Sequence, residues 1–412
     1  MNFIKNYKSS LILLFATILG GCIGLIIGEE ASILAPLGDI FLNLIFTILV
    51  PLVFFSISSS IANMGSSRKL GKILVVSIIV FGVTVIISGI IGIISFKLFD
   101  PTTGLKSSMF ANLTIGNETQ VGESMSILDK IVSSITVGNF SDILSKNNLF
   151  ALILFSMLIG LSTMLCNEEG KAFATFLNSG TAVTMKVINI IMLYAPIGIG
   201  AYFANVVGQL GGQILSGYAK VFTLYLGVSI VYFTVFFTLY AYVAGRKKGV
   251  KTFWKNATIP SITAMATCSS AACIPVNIEA SRRMGVSDTL SKIIMPLGVN
   301  IHKDGSVIGG IFKIMFLFAL FGKDMNSLSS LLIILVSGLL IGAVVAAIPG
   351  GGAIGEMLIL SIFGFPPEAL AIMLVIATII DAPATLLNST GNTVCTMVIS
   401  KFTEKHTQRY FN

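Results

Sequence analysis

The stretch GVNIHKDGSVIGG, residues 298–310, sets His302, Lys303 and Asp304 side by side, with apolar sequence running away in both directions. An imidazole, an ammonium and a carboxylate in such a setting can pair with ions, carry a proton or hold a charged ligand. A second set, Asp381, Thr385, Asn388 and Asn392, recurs every three to four residues and so shares one helical face. Two further stretches are rich in small residues: ATCSSAACIP, with Ser269 and Ser270, and IPGGGAIGEM, with Ile348, Gly350, Gly351, Gly352 and Glu356. Hydroxyls and bare backbone offer hydrogen bonds to a small ligand. A hydrolase can also be drawn, with Ser269 or Ser270 as nucleophile and His302 and Asp304 as base and orienter. The hydroxyls serve more simply as the polar tip of a turn.

The elements that must position these residues belong in a bilayer. Of 412 residues, 55% are hydrophobic and 11% charged, against roughly a quarter charged in soluble chains. Apolar runs near 10–28, 37–61, 72–98, 146–166, 182–208 and 220–244 each suffice to cross a ~30 Å hydrocarbon core as a helix. The run after residues 1–10 lacks a small-residue cleavage site and reads as the first span.

The net charge of +8 sits in short loops and tails, where it orients spans; it does not call for a nucleic-acid partner. Lys5, Lys8, residues 67–72, 245–255, 281–292 and 401–409 are expected in the cytoplasm, with both termini, and the protein in the cytoplasmic membrane. The polar stretch 100–145 is expected outside, its sequons at Asn112, Asn117 and Asn139 being chance matches. The five cysteines lie in apolar sequence without C-x-x-C spacing, and the only histidines are His302 and His406. They read as core residues, with no zinc site and no cofactor.

The basic loops at 245–255 and 281–292 share one side, yet the sequence between them is too short to cross twice. It must enter and turn back, with its small, hydroxylated middle as the tip. After a long helix over about 289–321, residues 330–367 are divided by Pro349 and the glycines into two arms, which favours a second re-entrant hairpin; two full crossings remain open by parity. A final helix over about 367–400 returns to the cytoplasm. Glycines around His302–Asp304 and Pro383 with Gly391 in the last helix predict a break in each long helix. Hairpin plus interrupted helix, twice and from opposite faces, is the inverted-repeat pattern of secondary transporters. A passive channel or a receptor-like sensor is the remaining alternative.

With these residues in place, the chain resembles the dicarboxylate/amino-acid:cation symporter family, the glutamate transporter fold. PLGDIFLNLIFTILVPLVFFSI (36–57) is similar to the family's second helix, YAPIGIGAYFANVVG (194–208) to its fifth, and TCSSAACIPV (267–276) and IPGGGAIGEM (348–357) to its two hairpins. The resemblance implies eight transmembrane helices plus two re-entrant hairpins, all α, in a homotrimer. It implies scaffold helices at 1–66 and 146–210, a mobile third helix at 67–99, an external loop at 100–145 and a mobile core at 211–412, moving as an elevator. Substrate would meet Ser269, Ser270, Ser306, Ile348, Gly350, Gly351, Gly352, Asp381, Ala384, Thr385 and Asn388, with Asp381 on its α-amino group. Coupling to a cation or proton would involve Gly298, His302, Lys303, Asp304, Asn388, Asn392 and Glu356.

Several positions depart from the family pattern. Its Asn-Met-Asp-Gly-Thr signature is His302, Lys303, Asp304, Gly305 and Ser306 here. The arginine that grips a side-chain carboxylate is Ala384, an aspartate that holds sodium is Asn392, and the hydroxyl pair of the third helix aligns with Val80 and Phe81. No arginine lies between Arg283 and Arg409, so no bidentate guanidinium is available for a carboxylate. Lys303 and Lys313 could substitute only as point charges. A neutral or thiol/disulfide amino acid is therefore favoured over glutamate, aspartate or a C4-dicarboxylate, and sodium coupling is expected to be weak or absent. Lys303 then acts as a tethered cation, or carries a proton with His302 or Glu356, or merely pairs with Asp304 to hold the break. Lys313 is expected to snorkel to the outer interface, and Glu356 to lie near a watery mouth or act as a proton carrier.

Overall fold

A computed structural model describes residues 2–63, 68–104, 136–145, 148–210, 213–344, 351–366 and 369–404. Among these every regular element is helical. Helices α1 (Asn2–Ile27), α2 (Ala35–Ala62), α3 (Arg68–Phe99), α4 (Leu149–Leu165) and α5 (Asn167–Leu210) fill the first half. Helix α6 (Gln213–Val231) runs through a π turn at Tyr232–Phe236 into α7 (Phe237–Thr267). Then come α8 (Ile274–Arg283), α9 (Asp288–Ile301), α10 (Asp304–Leu320), α11 (Leu328–Val344), α12 (Gly351–Phe363) and α13 (Ala369–Thr403).

Among the described residues, five stretches are long and apolar enough to cross a membrane: Phe15–Phe41, Lys72–Phe99, Asn167–Gln209, Ile214–Thr267 and Ile372–Thr403. Val50–Ser59, Ala151–Leu165 and Leu328–Gly342 are shorter apolar helices. Large apolar side chains such as Ile26, Ile79 and Leu193 point outward, as expected where the surrounding solvent is hydrocarbon. The chain is a multi-pass, all-helical membrane protein.

Helices α1, α2 and α4 pack on the long α5. Small residues let their backbones approach: a Cβ at Gly160 would lie 2.7 Å from the carbonyl oxygen of Ser58, and one at Gly20 would overlap that of Gly200. The remaining helices gather on α13, which packs against α7, α10, α9, α6, α3 and α8.

The first expected hairpin has a clear local cause. Inside α7 the backbone leaves helical geometry at Gly245 (φ −151°) and Arg246 (φ 50°), so two limbs meet in the basic loop. The second limb ends at Cys268, a left-handed residue at φ 46°, and the turn after it feeds α8, which packs back on α7. Helices α11 and α12 pack on each other likewise. Ile348, Gly350 and Pro349 lie outside the described residues, as do Asn112 and Asn117.

Only one of the two expected breaks is present. Helix α9 stops at Ile301, His302 is extended (φ −119°, ψ 111°), Lys303 is non-helical (φ −143°, ψ 63°), and α10 starts at Asp304. By contrast α13 runs unbroken through Pro383. A proline removes a single backbone donor, and apolar packing on both sides of it carries the helix through.

Candidate functional site

The α9–α10 break lies against the middle of α13. A Cβ at Gly305 would overlap the carbonyl oxygen of Ala384, so glycine lets the two backbones touch. Just beyond, Asn388 and Ser306 are cross-bonded: Ser306 N donates to Asn388 Oδ1 at 3.1 Å and Asn388 Nδ2 to Ser306 Oγ at 2.9 Å. Tyr225, from α6, donates its hydroxyl to the Gly305 carbonyl at 2.8 Å. The start of α10 is thus pinned from two sides.

One turn before Asn388, Thr385 Oγ1 is 3.5 Å from Asp381 Oδ1. Asp381 is exposed, although the residues after it on α13 are mostly buried. Its carboxylate therefore opens into accessible space at the middle of the bundle. Lys303 is 5% exposed and makes no hydrogen bond or ion pair among the described residues; the carboxylate it senses is Asp381. Lys303 does not pair with Asp304, which faces His302 instead. The first hairpin's tip joins this region through Cys268, also within electrostatic reach of Asp381. In that tip Ser270 is buried and Ser269 half-buried, its hydroxyl accepting from Ala272 N at 3.3 Å.

A second polar cluster lies deeper. His302 is fully buried, its Nδ1 2.9 Å from Asn392 Oδ1 and its Nε2 2.9 Å from Thr84 Oγ1 and 3.2 Å from Asp304 Oδ1. Phe81 stacks on the imidazole with centroids 4.6 Å apart. Gly298 leaves room for Asn392, whose Oδ1 a Cβ there would overlap. The third helix does supply a hydroxyl, from Thr84, one turn beyond the Val80 and Phe81 to which the sequence register pointed. Thr84, Cys395, Tyr225 and Tyr232 were missed; their apolar surroundings carried no signal of which helix face turns inward.

Glu356 and Lys313 also differ from expectation. They form an ion pair with each other, Glu356 wholly buried and Lys313 6% exposed, joining α12 to α10. Lys313 therefore does not snorkel, and Glu356 faces a cation in place of a watery mouth. No group of three or more His, Cys, Asp or Glu suited to a metal ion occurs among the described residues. A groove on α2, lined by Asn43, Thr47, Pro51 and Phe54 among others, lies away from all these residues.

A fold of packed apolar helices with a polar, partly open centre is that of a membrane transporter. The model of the sodium:dicarboxylate symporter family matches residues 10–402, and the chain belongs to that family. It is 28% identical over 404 residues to a proton/sodium-glutamate symport protein of Geobacillus stearothermophilus, covering 93% of each chain. It is 28% identical over 421 residues to a proton/glutamate-aspartate symporter of Escherichia coli, covering 97% of this chain and 94% of that one. It is 26% identical over 411 residues to a C4-dicarboxylate transport protein of Bacillus subtilis, covering 97% and 94%.

Proposed function

We propose that this family member is a secondary active transporter of a small amino acid, neutral or bearing a thiol or disulfide, with weak or absent sodium coupling. The observation that carries the reading is the buried Lys303, without a hydrogen bond or ion pair among the described residues, within electrostatic reach of the exposed Asp381. Asp381 takes the substrate's ammonium group, with Thr385, Asn388 and the hairpin tips completing the site. Lys303 supplies, as part of the chain, the positive charge that a bound cation would otherwise bring. Exchange, facilitated transport or proton coupling then remain as modes of movement.

Within this reading the protein is a homotrimer in the cytoplasmic membrane with both termini inside, built of eight spans and two re-entrant hairpins. Helices α1, α2, α4 and α5 are the fixed scaffold, and α3 with α6–α13 the elevator. That α1, α2 and α4 pack chiefly on α5, and the later helices chiefly with one another, supports this division. A second reading, a sodium- or proton-coupled carrier of glutamate, aspartate or a C4-dicarboxylate, is favoured by the names of the relatives. Against it stands the lack of any arginine between Arg283 and Arg409, since a lysine binds carboxylate only as a point charge.

The test is a substrate panel in vesicles holding only the purified protein, run with a sodium gradient, a proton gradient or neither. Saturable uptake of neutral or sulfur-bearing amino acids, without product formation, is expected. Uptake confined to dicarboxylates would favour the second reading, and turnover of the substrate would point to a hydrolase.

A further inference from the structure

The deep cluster around His302 is separate from the open region at Asp381, and its hydrogen bonds constrain the charge of the ring. The Thr84 hydroxyl lies 3.2 Å from the Val80 carbonyl and 3.1 Å from that of Phe81, so its own hydrogen is used within α3. It is then an acceptor toward His302 Nε2, 2.9 Å away. On the other side of the ring, Nδ1 faces the oxygen of Asn392 at 2.9 Å. Both ring nitrogens face acceptors, and a neutral imidazole has a single N–H.

Turning the Asn392 amide over would remove one of these demands, but charge balance remains. Asp304 is fully buried; among the described residues neither of its oxygens has a hydrogen bond and its one ion-pair contact is His302 Nε2 at 3.2 Å. The other groups around the cluster, Thr84 on α3, Tyr232 and Tyr240 on the α6–α7 segment and Cys395 on α13, bring no cation. Lys303 makes no hydrogen bond or ion pair with Asp304 among the described residues, and the carboxylate within its electrostatic reach is Asp381. A buried carboxylate is tolerated when paired and is strongly destabilising when not. The ring also fills the space: Phe81 covers one face, and a Cβ at Gly391 would already be 3.3 Å from His302 Cε1.

We propose that His302 is held as an imidazolium paired with Asp304, a cation built into the chain, so that the pocket between α3, α10 and α13 takes no alkali ion. This deepens the proposed function and rests on it for its meaning in transport. The pocket is then electrically balanced whether or not substrate is present, and the carrier has no ion to load or release there.

The test reads the ring directly. The chain has two histidines, His302 and His406, so His406→Gln protein labelled with ¹⁵N-histidine reports one imidazole. At neutral pH both ring nitrogens of His302 should carry a proton, with no change when sodium replaces choline. In the Asp304→Asn variant one nitrogen should become bare. In His302→Asn, where Asp304 loses its partner, the melting temperature should rise on adding sodium. A bare nitrogen in the otherwise unaltered pocket, a sodium-dependent shift there, or two protonated nitrogens surviving Asp304→Asn would overturn the proposal. Should His302→Asn fail to fold, the spectra of the other two proteins still decide. Because no arm measures uptake, sodium coupling arising elsewhere would defeat the proposed function and leave this result standing.

Discussion

At the scale of single residues the account turns on Asp381 and Lys303. Asp381 is exposed in the middle of a mostly buried segment, where its carboxylate can form a charged hydrogen bond to an ammonium group. Losing a hydrogen bond to a charged group costs about 1.5–3 kcal/mol, so Asp381→Asn should weaken apparent affinity in vesicle uptake by roughly ten- to a hundredfold. An unaffected variant would mean a substrate without an amino group, or another site. Lys303→Met tests the other half: a tethered cation predicts lost uptake or a new requirement for external sodium. Uptake unchanged and still indifferent to sodium would remove Lys303 from the mechanism. The sequence made these residues legible because ionisable groups in apolar runs announce themselves. It did not show who pairs with whom: Asp304 faces His302, not Lys303, because the backbone leaves the helix at His302 and Lys303, where helical spacing no longer sets side-chain direction.

At the scale of elements, the turn after Cys268 that brings α8 back onto α7 was expected from charge, since two basic loops assigned to one side enclose too little chain to cross twice. The one break that formed, at His302 and Lys303, coincides with flanking glycines, whereas Pro383 was over-read as a second break. Packing between elements was invisible, as the Lys313–Glu356 pair illustrates: 43 residues separate the partners, and no periodicity relates α10 to α12. Neutralising one member strands a buried charge, so Glu356→Gln or Lys313→Met alone should destabilise the protein by about 3–5 kcal/mol. The double variant should recover most of that loss, as thermal unfolding in detergent would reveal. Equal damage in single and double variants would show that the pair does not hold the second hairpin. The tips give a separate check. Single cysteines at Ser269, Ser270 or Gly351 should change labelling rate when a transported substrate is added, and constant rates at every position would place the substrate elsewhere.

For the whole molecule, composition was enough to show a helical membrane protein, because so little charge leaves no soluble alternative. The proposed division into scaffold and mobile core came only from the resemblance, since apolar helices carry no mark of which neighbours they choose. The central claim is that the chain carries its own cations, Lys303 beside the open site and His302 in the deep one, in place of sodium. It is tested most directly by initial-rate uptake into vesicles holding the unaltered protein, with sodium replaced by choline at constant pH. The account predicts that uptake persists at a similar rate; a collapse on removing sodium would contradict it.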